Sequence, residues 1–327
     1  MHIPNAVLDP RVAIVTTVLG VGGLGYGLRS LERRLGERTT VLMGTMAAFV
    51  FAAQMVNFPL GPLAASGHLL GGVLSAVMLG PWAGAVVIAA VLIVQCFLFG
   101  DGGLTALGAN FVNMGLIGAV GGYAVYAPIR RALGGSRGVI LGAMVAAWFS
   151  VILSAGAFSV ELAASGRWPD FWRVLSLMVL VHAAIGVGEA LITGMVLRFI
   201  LLTRPDLIPD VRDSPAHARG VTAAGLVIAL AVAIFLGPLA SQLPDGLEFV
   251  GKKLDFLKGE APSIVSAPIP DYQLPGLSDR SLSAATAAAG ALGTLVVFGL
   301  GLGVAGVFSH RSVTSSASAE RVSPDAV

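Results

Sequence analysis

Long apolar runs alternate with short polar breaks along most of this chain. The runs lie at about 11–28, 41–56, 67–79, 82–99, 104–126, 139–160, 171–202, 220–239 and 283–308. Most of them, as helices, can cross about 30 Å of hydrocarbon. The pattern predicts an all-α polytopic membrane protein with seven spans, followed by two more that flank a hydrophilic segment. The boundaries expected are 1–205 for the seven-span unit, 206–219 for a polar linker and 220–308 for the two-span unit. The hydrophilic segment is 240–282, and a Ser- and Ala-rich tail, expected to be disordered, covers 309–327. The third run departs from the rest. It is about a dozen residues long and is bounded by Pro62 and by Gly80-Pro81, and such short segments are often broken or re-entrant helices near a binding site. His68 stands at its outer end.

Composition agrees with the pattern. The 327 residues are 56% hydrophobic and 12% charged, whereas a soluble domain carries about a quarter charged residues. Arg29, Arg33, Arg34 and Arg38 follow the first span, Arg130, Arg131 and Arg137 the fifth, and Arg198, Arg204, Arg212 and Arg219 the seventh. Short arginine-rich loops mark the cytoplasmic side. That places the amino terminus outside, the carboxyl terminus in the cytoplasm, and the 57–67 turn and the 240–282 segment on the outer face. The expected location is the cell (inner) membrane. The basic residues act as topology signals, so no nucleic-acid partner is expected and the surroundings are lipid. Cys96 is the only cysteine, which rules out an intrachain disulfide or a cysteine-based metal site. The first residues lack a basic stretch and a small-residue cleavage site. His2 is bulky, so Met1 is expected to be kept with a free amine.

Met1-His2-Ile3-Pro4 is a candidate chelator. The Met1 amine, the His2 amide nitrogen and the His2 imidazole can hold one ion in fused rings, with one in-plane position open. His68, on the same membrane face, can fill it. Four nitrogens in a square plane suit Ni(II) or Cu(II), and Co(II) less obviously. Pro4 stiffens the chain beyond the chelate. The residues alone leave a plainer alternative open, in which His2 is an ordinary terminal residue and His68 a helix-end imidazole at the interface. Gln95, Asn110 and Asn113 are intramembrane amides suited to packing or to holding ligands in place. Asp101, in a Gly-Asp-Gly-Gly turn, could orient a ligand imidazole or cap the fifth helix. His182 and Glu189 share a helical face, and interhelical hydrogen bonding is the favoured role for them. Gly20 to Gly25 superficially look like a dinucleotide loop, but they lie inside a span with no strand before them. No P-loop is present, and no hydrolase constellation lies at membrane depth.

Met1-His2-Ile3-Pro4, His68-Leu69-Leu70-Gly71 as a short helix, Gly80-Pro81-Trp82 and the stretch Phe99 to Asn110 (FGDGGLTALGAN) resemble the substrate-capture component of energy-coupling factor nickel/cobalt transporters, the CbiM/NikM family. The likeness spans about 1–205. It implies a seven-helix capture subunit with an extracytoplasmic amino terminus threaded into its core. It also implies Ni(II) or Co(II) as the transported ligand, bound by the Met1 amine, the His2 amide and imidazole, and His68. There is no catalytic cofactor and no enzyme activity in the chain itself. Separate ATPase (A) subunits hydrolyse ATP, coupled through a transmembrane scaffold (T) subunit. The family's usual start continues Asp-Gly after the proline, whereas Asn5-Ala6 stands here, so an acceptor carboxylate is replaced by an amide. Residues 220–308 are similar to the small two-helix auxiliary subunit of the same transporters, on Pro244-Asp245-Gly246-Leu247-Glu248, Ala267 to Tyr272 and Pro275-Gly276-Leu277. Outside this family, the alternatives are a secondary transporter of another substrate and a vitamin-capture subunit of the same transporter class.

Overall fold

Asp9-Pro10 starts the first helix for a local reason. The Asp9 carboxylate accepts the Arg11 N–H at 2.9 Å, and proline is pre-organised for a first helical position, where no N–H is needed. A computed structural model describes residues 2–32, 37–166, 170–208, 218–257, 266–278 and 281–320. Its helices are α1 (Pro10–Glu32), α2 (Glu37–Gln54), α3 (Gly72–Leu79), α4 (Pro81–Val94), α5 (Leu107–Asn110), α6 (Gly122–Leu133), α7 (Gly135–Ala164), α8 (Phe171–Thr203), α9 (Ala218–Ala231), α10 (Gly246–Leu254) and α11 (Leu282–Glu320). Wide, π-helical backbone extends α4 through Gln95–Phe99, joins α5 to α6 through Phe111–Gly121 and extends α9 through Val232–Leu236. A two-residue hairpin pairs β1 (Phe58–Pro59) with β2 (Ser66–Gly67).

Among the described residues, seven helices are long and apolar enough to cross a membrane: Pro10–Leu31, Pro81–Phe99, Leu104–Leu133, Gly135–Ala164, Phe171–Thr203, Thr222–Leu239 and Leu282–Val307. Thr39–Gln54 is a shorter apolar helix, and α3 is the short piece the third run foretold. Large apolar side chains such as Val18, Val145, Leu180 and Phe235 face outward, as they do where lipid rather than water is the solvent.

Two expectations need correction. His68 does not sit on the short helix. Gly67 is still paired with Phe58, and the helix begins only at Gly72, after Gly71 at φ 75. His68 to Leu70 are non-helical, held between the hairpin at their near end and Glu189 at their far end. Its carboxylate accepts the Leu70 N–H, and the Gly71 N–H at 3.0 Å. The carboxyl-terminal tail also differs, since α11 continues through Glu320 where disorder was expected from 309. Residues 321–327 and most of the 206–219 linker lie outside the described residues.

α3 is wrapped by its neighbours, and Gly72 to Met78 are all buried. α9 and α11 pack on α2. They do so through small residues, with Ala48 and Ala52 meeting Ala229 and Ala233, and Gly301 against the backbone of Gly44. Small side chains let membrane helices approach closely where no hydrophobic drive separates lipid from protein.

Candidate metal centre

Residues 2–9 do not trail from α1. They run inward, with Ile3, Val7 and Leu8 in the core and Ile3 only 1% exposed. Burying an isoleucine is worth about 1.5–3 kcal/mol, so Ile3 is an apolar anchor beside His2. Asn110 clamps the same residue. Its Oδ1 accepts the Ile3 N–H at 2.8 Å, and its Nδ2 donates to the Ile3 carbonyl at 3.2 Å. The Gly103 N–H donates to that carbonyl as well, at 2.8 Å. Residue 103 must be glycine for this, because a Cβ there would strike the backbone of Pro4 and Asn5. Asn5 works as an acceptor: its Oδ1 takes the Thr105 N–H at 3.1 Å and lies 3.2 Å from Thr105 Oγ1.

This clamp brings His2 beside His68. The two imidazoles stack with centroids 5.3 Å apart and planes 16° apart. Both are buried. Burial pushes each below the usual histidine range, His68 to about 3, so both rings are neutral near pH 7 and carry a metal-binding lone pair. His68 Nδ1 faces the Leu69 carbonyl at 3.0 Å, which places the lone pair on Nε2. His2 Nε2 meets Gln95 Oε1 at 3.0 Å, and its Nδ1 meets Asp101 Oδ1 at 3.1 Å. Both partners are acceptors, and a neutral ring has one N–H to give.

Gln95 in turn donates to Gln54 Oε1 at 2.9 Å, and Gln54 donates to the Leu70 carbonyl at 2.8 Å. Two buried amides thus connect the His2 ring to the non-helical segment that carries His68. The wide turn at Gln95–Phe99 and the left-handed Gly100 (φ 70) re-aim the chain so that Gln95 and Asp101 face one ring. Asp101 therefore orients an imidazole. The helical turn that follows it begins after Gly103 without a side-chain cap.

Of the residues singled out in the sequence, His2, His68, Asp101 and Asn110 come together, while Met1 lies outside the described residues. Asn113 does not join them. Its Nδ2 donates to Glu161 Oε2 at 2.9 Å, a helix-packing bond between the fifth span and α7. Glu189 is structural in the way already described, and His182 Nδ1 faces the Met178 carbonyl at 2.8 Å. Among the described residues no three His, Cys, Asp or Glu side chains form a metal-holding cluster.

Sequence reasoning did not single out Gln54, and it read Tyr272 only as the end of the Ala267–Tyr272 motif. Gln54 is the last residue of an apolar helix and reads as an ordinary polar boundary. Tyr272 comes from the other unit and is half-buried: its hydroxyl donates to Asp101 Oδ2 at 2.6 Å. Burial, and then the Asp101 carboxylate, raise that hydroxyl well above the usual phenol range, so it remains a donor. The carboxyl-terminal segment is stitched to this end of the bundle by backbone bonds. These are Ser241 N–H to Asn57 O at 2.8 Å, Ser66 N–H to Pro244 O at 2.8 Å and Ile269 N–H to Leu98 O at 3.0 Å. Asp245 caps α10 through the Glu248 N–H at 2.8 Å. His2, His68, Asp101, Asp245 and Tyr272 line one cavity of about 920 Å³.

Residues 2–207 match the family described as "Cobalt uptake substrate-specific transmembrane region", CbiM. The chain belongs to the CbiM family. Residues 219–310 match the PDGLE domain, whose five letters are Pro244 to Glu248. This CbiM-family chain is 37% identical over 302 residues to a putative fused nickel transport protein NikMN of Archaeoglobus fulgidus, covering 92% of this chain and 97% of that one. It is 32% identical to the fused nickel transport protein NikMN of Rhodobacter capsulatus, over 74% of this chain and 73% of that one. A crystal structure of a truncated transition metal transporter superposes with a TM-score of 0.56 at 29% identity, covering 62% of this chain and 99% of that one. The CbiM-family chain is thus a multi-pass membrane protein of nickel and cobalt transport, with a second, fused domain. Its role is transport, not catalysis.

Proposed function

We propose that the chain is the metal-capture subunit of an ATP-driven energy-coupling factor importer, binding Ni(II), or Co(II), in a four-nitrogen plane for uptake. The observation that carries this is the meeting of the His2 and His68 rings, 5.3 Å apart and buried, with the chain's first segment clamped against them. The Met1 amine, the His2 amide and the His2 imidazole would close two fused rings, and His68 would complete the plane. Within that chelate the imidazole ligand is Nδ1, because only Nδ1 closes a six-membered ring with its own amide. Binding would therefore turn the His2 ring about Cβ–Cγ. Its single Nε2–H would then donate to one of the acceptor oxygens beside the ring, on Asp101 or on Gln95. Nitrogen-rich, planar coordination favours Ni(II).

The arginine-rich loops support an extracytoplasmic position for the cavity. In this reading a transmembrane scaffold (T) subunit and ATPase (A) subunits are separate partners that drive transport. The test is Ni(II) and Co(II) titration of the purified full chain. His2→Ala and His68→Ala are each expected to abolish high-affinity binding with helical content unchanged. Retained affinity in either variant would sink the four-nitrogen site. Metal uptake by the chain reconstituted alone would contradict the subunit assignment.

A further inference from the structure

We propose that Tyr272, from the fused PDGLE domain, is a positioning residue for the metal ligand His2, acting through Asp101. The proposal rests on the metal-capture function above. One carboxylate is engaged from two sides: Tyr272 Oη donates to Oδ2 at 2.6 Å, and the His2 ring meets Oδ1 at 3.1 Å. Such a carboxylate fixes the orientation of a ligand imidazole and raises its donor strength. Asp101 has glycines on both sides, Gly100 at φ 70 and Gly102 at φ 85, and its side chain is 30% exposed. By itself it would rotate and exchange its partner for water. The tyrosine hydroxyl removes that freedom and keeps Oδ1 turned toward the imidazole.

Tyr272 is itself placed with care. Its ring stacks on Phe99, centroids 4.6 Å apart and planes 15° apart. The Ile269–Leu98 backbone bond fixes the approach. Asp271 and Tyr272 both have left-handed backbone, at φ 53 and φ 56, which residues with a side chain rarely adopt. Two such residues in succession are explained by the need to turn the chain and aim the hydroxyl at Asp101. The fused domain is then part of the metal site and not a cover over it, and the affinity of the capture unit depends on it.

The experiment is Ni(II) titration of the full chain in detergent, together with d–d absorption of the bound ion. Tyr272→Phe keeps the stacked ring and deletes only the hydroxyl. It is expected to raise Kd about tenfold or more and to displace the d–d band, with the metal-free unfolding midpoint unchanged. Asp101→Asn should weaken binding at least as much, and the double variant should be no worse than Asp101→Asn. Tyr123→Phe, on α6, should match the unsubstituted chain. Unchanged affinity and spectrum in Tyr272→Phe would overturn the proposal and leave the capture function standing. Additive losses in the double variant would also overturn it, as would a loss that came with a lowered midpoint and an unmoved band. If the unsubstituted chain bound neither Ni(II) nor Co(II), both proposals would fall together.

Discussion

α7 and α8 run 30 and 33 residues as regular helices, while the stretches 55–71 and 95–106 change backbone type every few residues. The regular helices close their own hydrogen bonds and present apolar side chains to lipid and to each other. The broken stretches hold a hairpin, an irregular segment, a wide turn and left-handed glycines, and they carry His68, Gln95 and Asp101. Irregular backbone at membrane depth is tolerated where protein shields it or where it lines a cavity. Here Glu189 and Asn110 supply the missing partners, to Leu70 and Gly71 and to Ile3. The long helices therefore support the site through single side chains, and the broken stretches build it.

Four changes probe that contrast, in falling order of expected effect. Adding one residue before Met1 should reduce Ni(II) affinity by at least about a hundredfold, because the chelating amine is displaced. Normal titration of such an extended chain would refute the chelate. Asn110→Ala leaves the buried Ile3 N–H unmatched, which costs about 1–3 kcal/mol. If that energy orders the amino-terminal segment, Kd should rise roughly 5- to 150-fold, and an unaltered Kd would show that Ile3 burial suffices. Glu189→Ala strips two N–H groups at the start of α3. It should lower the unfolding midpoint by several degrees and weaken binding through His68; a change in binding with no change in melting would instead give Glu189 a direct role. Leu141→Ala, on the outward face of α7, should alter stability by no more than about 0.5 kcal/mol and leave titration curves superimposable.

The helical class and the nine apolar segments were legible because both depend on local composition and length. Asp101 and Asn110 were nameable as polar residues in apolar or glycine-rich surroundings, but their roles were not. Whether Asp101 capped a helix or held an imidazole depended on which chain segment arrived beside it. Asn113 shows the converse: the same residue type, three positions beyond Asn110, turns to Glu161. His68 could be assigned to the outer end of the third run, but its non-helical backbone could not be seen, because the hairpin and Glu189 that hold it come from elsewhere. Gln54 gave no local sign, and Tyr272 showed only as part of the Ala267–Tyr272 motif, without its contact to Asp101.

By itself the sequence determined the membrane-spanning class and the order of apolar segments and polar breaks, and it marked the start of the chain as a candidate chelator. Each follows from residues within a single stretch: apolar length for the spans, arginine-rich breaks for the loops, adjacent donors for the candidate chelator. Only the tertiary structure decided which side chains complete the site. His2 meets Gln95 across 93 positions, and Asp101 meets Tyr272 across 171. Contacts at such separations are set by how the helices pack and how loops close, which no local pattern encodes.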